Sequence, residues 1–169
     1  VIQKDYILLF YSPYPLEHGS INLASNVHVA NDYLILALRH ESYFDVNFTG
    51  AKVTTKKLLN FGRVELRIAQ PEGRLIKPSI YTVDPNESEW HESGQIVLSS
   101  LDGDGLLYRN VYFDSSTDDK DFAHQYPNYI NPYQFHVVGF EWDQEKVRFF
   151  SDDVYGEPIW ANGKFCISW

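Results

Sequence analysis

The sequence predicts an antiparallel all-β sandwich, and three observations carry that prediction. Short runs of alternating polar and apolar residues recur along the chain, polar turns separate them, and no stretch sustains a helical period. Aromatic residues are abundant, with 12 Tyr, 11 Phe and 4 Trp in 169 residues, which suits half-buried strands and carbohydrate surfaces alike. Strands this numerous and closely spaced pack as two sheets.

In order, Val27-His28-Val29 and Leu34-Ile35-Leu36-Ala37-Leu38 flank the turn residues Asn31-Asp32 and read as a hairpin. Ala51 to Thr55 is a candidate strand. Phe61 to Ile68 alternates cleanly, with Val64, Leu66 and Ile68 on one face and Arg63, Glu65 and Arg67 on the other. Pro71-Glu72-Gly73 closes that run. Pro78 to Val83, Gln95 to Leu101, Leu106 to Phe113, Phe135 to Trp142 and Lys146 to Ser151 complete the strands. Asp102-Gly103-Asp104-Gly105 is a tight turn that lacks the longer ligand series and closing Glu of a calcium loop. The acidic stretch from Asp114 to Asp121 reads as a solvated connection.

Composition excludes several classes of partner. A net charge of −9, from 14 basic and 23 acidic residues, gives no broad support to nucleic-acid or anionic-membrane binding. No run reaches the ~18 apolar residues of a membrane span. The single cysteine, Cys166, forms no internal disulfide and reads as a buried thiol. His18, His91 and His124 show no metal-ligand spacing, so neither metal nor cofactor is expected. The segment Tyr6 to Tyr11 is short, aromatic and preceded by Asp5, unlike a signal peptide. The chain therefore reads as a fragment or mature product of one domain, residues 1–169, whose signal peptide lies outside it. Two N-glycosylation triplets, starting at Asn47 and Asn86, fall in predicted loops and fit an extracellular, secreted glycoprotein.

The stretch Glu89-Trp90-His91-Glu92-Ser93-Gly94-Gln95-Ile96-Val97-Leu98-Ser99-Ser100 resembles the catalytic strand E-W-P-A-S-G-E-I-D-I-M-E of glycoside hydrolase family 16, the laminarinases and lichenases. Three more blocks match in order. Ser25 to Leu36 is similar to the family's first hairpin. Gly50 to Lys56 with Phe61 to Ile68 resembles S-G-R-L-T-T-K…Y-G-R-V-E-V-R-A. Phe135 to Asp143 with Val147 to Asp153 resembles F-H-x-Y-x-L-E-W…I-x-F-Y-V-D-G. The match runs over residues 20–158, while 159–169 diverge from the strand that should follow. The resemblance implies a concanavalin-like jelly roll that is C-terminally incomplete.

In that family the first Glu of the strand is the nucleophile, the Asp two residues on tunes it, and the last Glu is the acid/base. Gln95, Val97 and Ser100 hold those places here, or Ser99 in place of Ser100 if the strand is regular rather than bulged. Retaining hydrolysis needs two carboxyl groups roughly 5–5.5 Å apart. An amide neither ionises nor attacks, and a serine hydroxyl is no tunable acid. Ser93-Gly94-Gln95-Ile96 matches the insect Gram-negative-binding and β-1,3-glucan recognition proteins, whose glucanase domains are inactive.

The expectation from sequence is thus a pseudoenzyme, with no catalytic residues, that binds β-1,3-glucan or a related microbial polysaccharide in innate immunity. An immune protease or receptor would be its further partner. The resemblance places Glu65, Arg67, Tyr81, Gln95, Asn110 and Tyr112 at the sugar, although Glu65 could equally form a cross-strand ion pair and Tyr81 could serve the core. His136 reads as structural, and Trp90 and Trp142 as packing residues. Two other readings compete. One is a remnant or interaction module without ligand, favoured by the loss of a cleft Trp, where Lys77-Pro78-Ser79-Ile80-Tyr81 stands for the family's W-P-A-x-W, and by the missing C-terminal strands. The other is an active hydrolase that recruited carboxylates elsewhere, with Glu65, Glu92 and Glu141 as candidates.

Overall fold

The computed structural model describes residues 20–56, 59–70, 76–82, 95–100, 106–112, 122–131 and 134–160. They form fourteen strands and a short 3-10 turn, Ala24–Asn26. Two compact units divide the chain, Val1–Leu58 and Leu59–Trp169.

The first unit holds β1 (Ser20–Asn22), β2 (Val27–Ala30), β3 (Tyr33–Leu36), β4 (Arg39–Tyr43) and β5 (Val46–Gly50). The predicted hairpin is present as β2–β3, and Asn31 and Asp32 take φ of 49° and 63°. Those left-handed angles at both central residues are what a two-residue hairpin turn demands, and Asn and Asp tolerate them. Strand β5 pairs antiparallel with β4 and parallel with β1. Asn26, fully buried, ties this unit together by donating from Nδ2 to Thr49 Oγ1 at 2.8 Å and to the Gly50 carbonyl at 3.0 Å. Thr49 Oγ1 in turn donates to the Glu41 carboxylate.

Two expectations fail here. Ala51 to Thr55 is irregular chain with an isolated bridge at Thr54. The strand ends at Gly50 because its carbonyl is already taken by Leu23 N and Asn26 Nδ2. Asn47 lies in β5 rather than in a loop. Its side is exposed, but the Thr49 hydroxyl of that triplet is buried and doubly engaged. Asn86 lies outside the described residues, as do Trp90, Glu92, Cys166 and the 102–105 and 114–121 segments.

The second unit carries two sheets. One, in the order β10-β9-β8-β7, comprises β7 (Ser79–Tyr81), β8 (Gln95–Ser100), β9 (Leu106–Tyr112) and β10 (Phe122–Tyr129). The other runs β13-β12-β11-β6, with β6 (Gly62–Ile68), β11 (His136–Trp142), β12 (Lys146–Ser151) and β13 (Val154–Tyr155); β14 (Ile159–Trp160) also pairs with β12. All these pairings are antiparallel. The β12–β13 connection repeats the hairpin device, with Asp152 and Asp153 at φ 46° and 64°.

The apolar sides of both sheets join one cluster: Ile96, Leu98 and Val111 from one, Val138, Phe140, Trp142, Val147 and Phe149 from the other. Trp142 is a core residue as expected, and its Nε1 donates to the Asn60 carbonyl at 3.0 Å. Burying each of the large side chains is worth about 1.5–3 kcal/mol. The alternation read in β6 holds for Val64 and Ile68, which pack on the cluster, whereas Leu66 is 42% exposed.

Arg109 disturbs this core. It lies opposite Leu98, between the residues Tyr108 and Asn110, and is 3% exposed. Its Nε and Nη2 have no hydrogen-bond partner among the described residues, and burial lowers the guanidinium pKa. An uncompensated buried charge costs several kcal/mol. Arg109→Met should therefore raise stability by about 1–4 kcal/mol, read as a shift in urea midpoint at unchanged m. An unchanged or lower midpoint would show that the cation is compensated.

Candidate functional site

The strand that resembles a catalytic strand is regular. Residues Gln95 to Ser100 of β8 pair without interruption with Tyr112 to Leu107 of β9. With no bulge, position 99 rather than 100 shares a face with 95 and 97. The residues on that face are Gln95, Val97 and Ser99, with no carboxylate among them.

Register lines up the expected sugar contacts of this sheet. Tyr81, Val97 and Asn110 form one row across β7, β8 and β9, and Gln95 pairs with position 112 in the next. Tyr81 is 38% exposed, so it serves the surface more than the core. Gln95 is no open cleft floor: it is 4% exposed, and its Nε2 donates to the Thr82 carbonyl at 3.0 Å. The Ile96 N–H donates to Thr82 Oγ1, also at 3.0 Å, so Thr82 locks the start of β8 from two sides. The side chain of Tyr112 lies outside the described residues.

Glu65 and Arg67 belong to the other sheet. The described strands carry three carboxylates, Glu41, Glu65 and Glu141, and the last two share a face of that sheet. Arg63 joins them. Its Nη2 donates to Glu65 Oε2 at 2.7 Å, its Nε reaches the same oxygen at 3.1 Å, and its Nη1 donates to Glu141 Oε2 at 3.1 Å. Nη1 also donates to the Tyr155 hydroxyl at 2.6 Å. The guanidinium sits 3.9 Å above the buried Phe150 ring, a cation–π contact that fixes its plane. Glu65 and then Tyr155 hold the Arg63 pKa above its already high ordinary value.

The two expectations for Glu65, sugar contact and ion pair, are thus not exclusive: the pair is made, yet the carboxylate is half exposed. Both partners of Arg63 sit at the surface, so the bridges themselves add little stability. Their effect is to hold two carboxylates beside one another. Arg67 reaches no carboxylate among the described residues and lies 4.3 Å over the Phe135 ring.

Sequence reasoning missed Arg63, Phe150 and Tyr155 as parts of this arrangement. Only the strand register, which sets Arg63 opposite Glu141 and Phe150 opposite Tyr155, brings them together. His136 is structural, as expected. Its Nδ1 meets Asp152 Oδ2 at 2.5 Å and its Nε2 meets the Asn131 carbonyl at 3.0 Å. The His136 contact, then the Val137 N–H, depress the Asp152 pKa. A depressed carboxylate adds stability above its unfolded value, near 3.9, and that contribution is lost as pH falls through the folded value. Asp152→Asn should therefore flatten the loss of thermal stability below about pH 4. An acid limb identical to the parent's would contradict this.

A model of glycosyl hydrolases family 16 matches residues 17–162. The chain belongs to that family. It is 27% identical over 140 residues to a protein of Rhodothermus marinus named beta-glucanase, covering 76% of this chain and 48% of that one. It is likewise 27% identical over 118 residues to a glucan endo-1,3-beta-glucosidase of Cryptopygus antarcticus, covering 64% and 43%. The chain thus spans about half the length of these family 16 relatives. Among solved structures it is similar to the laminarinase catalytic domain of Thermotoga maritima, with a TM-score of 0.79 at 19% identity, over 96% of this chain and 73% of that one. The fold is accordingly the expected antiparallel β-sandwich jelly roll.

These comparisons overturn the expectation of a non-catalytic recognition domain and pseudoenzyme. The family 16 relatives are named for glucan hydrolysis. The likeness to insect recognition proteins rested on Ser93 to Ile96, four residues of the sequence. The described part of β8 carries no carboxylate, whereas β6 and β11 carry Glu65 and Glu141 on a shared face.

Proposed function

We propose that this chain hydrolyses β-1,3-glucan as a family 16 glycosidase, with Glu65 and Glu141 as its paired carboxyl groups. The observation that carries the reading is that pair, held on one sheet face by a single guanidinium, in a chain whose relatives are named for glucan hydrolysis. In the first step one carboxylate oxygen bonds to the anomeric carbon while the glycosidic C–O bond breaks. The other carboxyl gives its proton to the departing oxygen. Water then attacks the glycosyl–enzyme ester, losing its proton to that second group, and the first carboxylate is released.

Arg63 orients both groups and moves no proton. Tyr155, 39% exposed beside them, offers a ring for the apolar face of a sugar. A polymeric glucan substrate fits an extracellular place of action. Immune protease or receptor partners belong to the abandoned recognition reading and have no part in this one.

The test is release of reducing ends from laminarin by the purified chain, with cellulose as control. Turnover on laminarin with none on cellulose is the expected result. No turnover by folded protein would reject the proposal.

A further inference from the structure

The open face around Glu65 and Glu141 is electrostatically unlike the rest of the chain. Strand alternation and register place Arg63, Arg67, Lys146 and Arg148 on it, against the two carboxylates. Arg63 takes both carboxylates. Three cations remain, and no ion pair joins them to a carboxylate among the described residues. A surplus of cations on one sheet face is unexpected where acidic residues outnumber basic ones by 23 to 14.

Each surplus cation is seated on an aromatic ring. Arg67 lies 4.3 Å over Phe135, Arg148 lies 4.6 Å over Tyr155, and Lys146 Nζ is 5.2 Å from the centre of the Trp160 ring. Stacking restrains a guanidinium plane while leaving its N–H edge free for a planar anion. The rings themselves are surface groups: Phe135 is 42% exposed, Tyr155 39% and Trp160 51%. Arg148 Nε is also anchored to the Gly156 carbonyl at 3.4 Å. Exposed rings interleaved with oriented cations that meet no carboxylate among the described residues make a surface for a sugar chain that carries negative groups. The rings take the apolar sugar faces, and the cations take the anions through charge-assisted hydrogen bonds.

From this we infer that the preferred ligand of the β6–β11–β12–β13 face is an anionic glycan, one bearing sulfate esters or carboxylates, and that Arg67, Lys146 and Arg148 read the charge. The inference deepens the proposed function and rests on its placing the polysaccharide at the Glu65–Glu141 face. The overall charge of −9 works against any polyanion, so a preference for one must come from a local surface such as this.

Binding is measured by calorimetry at low salt with neutral laminarin, sulfated laminarin, laminarin oxidised to carry carboxylates, and single-stranded DNA. The Glu65→Gln/Glu141→Gln chain is measured alongside, so that affinity is read without cleavage. The modified laminarins should bind about tenfold or more tighter than the neutral polymer, with the preference shrinking towards 1 M salt. The tighter of the two identifies the anionic group. Arg67→Gln, Lys146→Gln and Arg148→Gln should each lower the ratio of modified-laminarin to neutral-laminarin affinity and keep the parent's thermal midpoint. Equal or weaker binding of both modified polymers would overturn the inference, and DNA binding as tight as either would reduce it to unspecific polyanion attraction. Cleavage of laminarin without the preference would sink this inference alone. The preference without cleavage would sink the proposed reaction alone.

Discussion

Glu65→Gln and Glu141→Gln should each lower laminarin turnover by about 10²–10⁴-fold while leaving the thermal midpoint within about 1 °C of the parent's. An amide keeps the size and much of the hydrogen bonding of the carboxylate, so Arg63 still has an oxygen to donate to. It cannot attack an anomeric carbon or give up a proton on the required timescale. Both side chains lie at the surface, where loss of an ion pair costs at most about 1 kcal/mol. The activity loss therefore cannot be blamed on unfolding. Azide should rescue the glycine variants at both positions, giving a glycosyl azide of inverted configuration at the nucleophile and of retained configuration at the acid/base, and that difference assigns the two roles. Gln95→Ala is the control from β8. It removes the hydrogen bond to the Thr82 carbonyl and should lower stability without the same collapse of turnover. Turnover that survives both glutamine variants would move the chemistry away from this face.

Gly139→Ala should unfold the second unit or destabilise it by more than about 4 kcal/mol. A Cβ at this position would lie 2.0 Å from the Val64 carbonyl oxygen and 2.7 Å from Phe150 Cζ. The first contact is with backbone of the neighbouring strand, which can yield only by breaking the β6–β11 ladder. The second is with the buried ring on which Arg63 rests. Gly139 stands opposite Glu65 in that ladder, so its missing side chain is the space that lets Phe150 lie flat beneath the Arg63 guanidinium. A circular-dichroism melt reads the effect, and a variant that melts within a few degrees of the parent would show that the strands have more freedom than this packing allows.

Much of this fold can be read in the sequence where local pattern and tertiary demand agree. Val64, Glu65 and Arg67 alternate as a strand should, and Asn31-Asp32 between two apolar runs announces its turn. The sequence pattern does not announce the short strands β1, β13 and β14, nor the longer β4, β5 and β10. Arg39–Tyr43 and Val46–Gly50 are polar and irregular because their ladder depends on buried contacts such as Asn26 with Thr49, which join distant positions. In β10 the sequence contains Pro127, which argues against a strand, yet the register shifts between Gln125 and Asn128 and so spares proline a ladder bond. Ala51 to Thr55 failed for the opposite reason: its composition suits a strand, but the carbonyl before it is already satisfied.

The site was legible by type and not by geometry. Gln95, Val97 and Ser99 show from sequence that β8 holds no acid, and Glu65 and Glu141 can each be named as candidates. What cannot be read is that Arg63 lies opposite Glu141, 78 residues on, and at the same time bonds Glu65, two residues along its own strand. The relatives, named for glucan hydrolysis, overturn the pseudoenzyme expectation drawn from that one strand.

The most direct test is to trap the glycosyl–enzyme intermediate with a 2-deoxy-2-fluoro laminaribiosyl fluoride and map the labelled peptide by mass spectrometry. The account predicts one sugar per chain, attached to Glu65 or Glu141, and no label when that residue is changed to glutamine. A label on any other carboxylate, or no label on a protein that turns over laminarin, would contradict it.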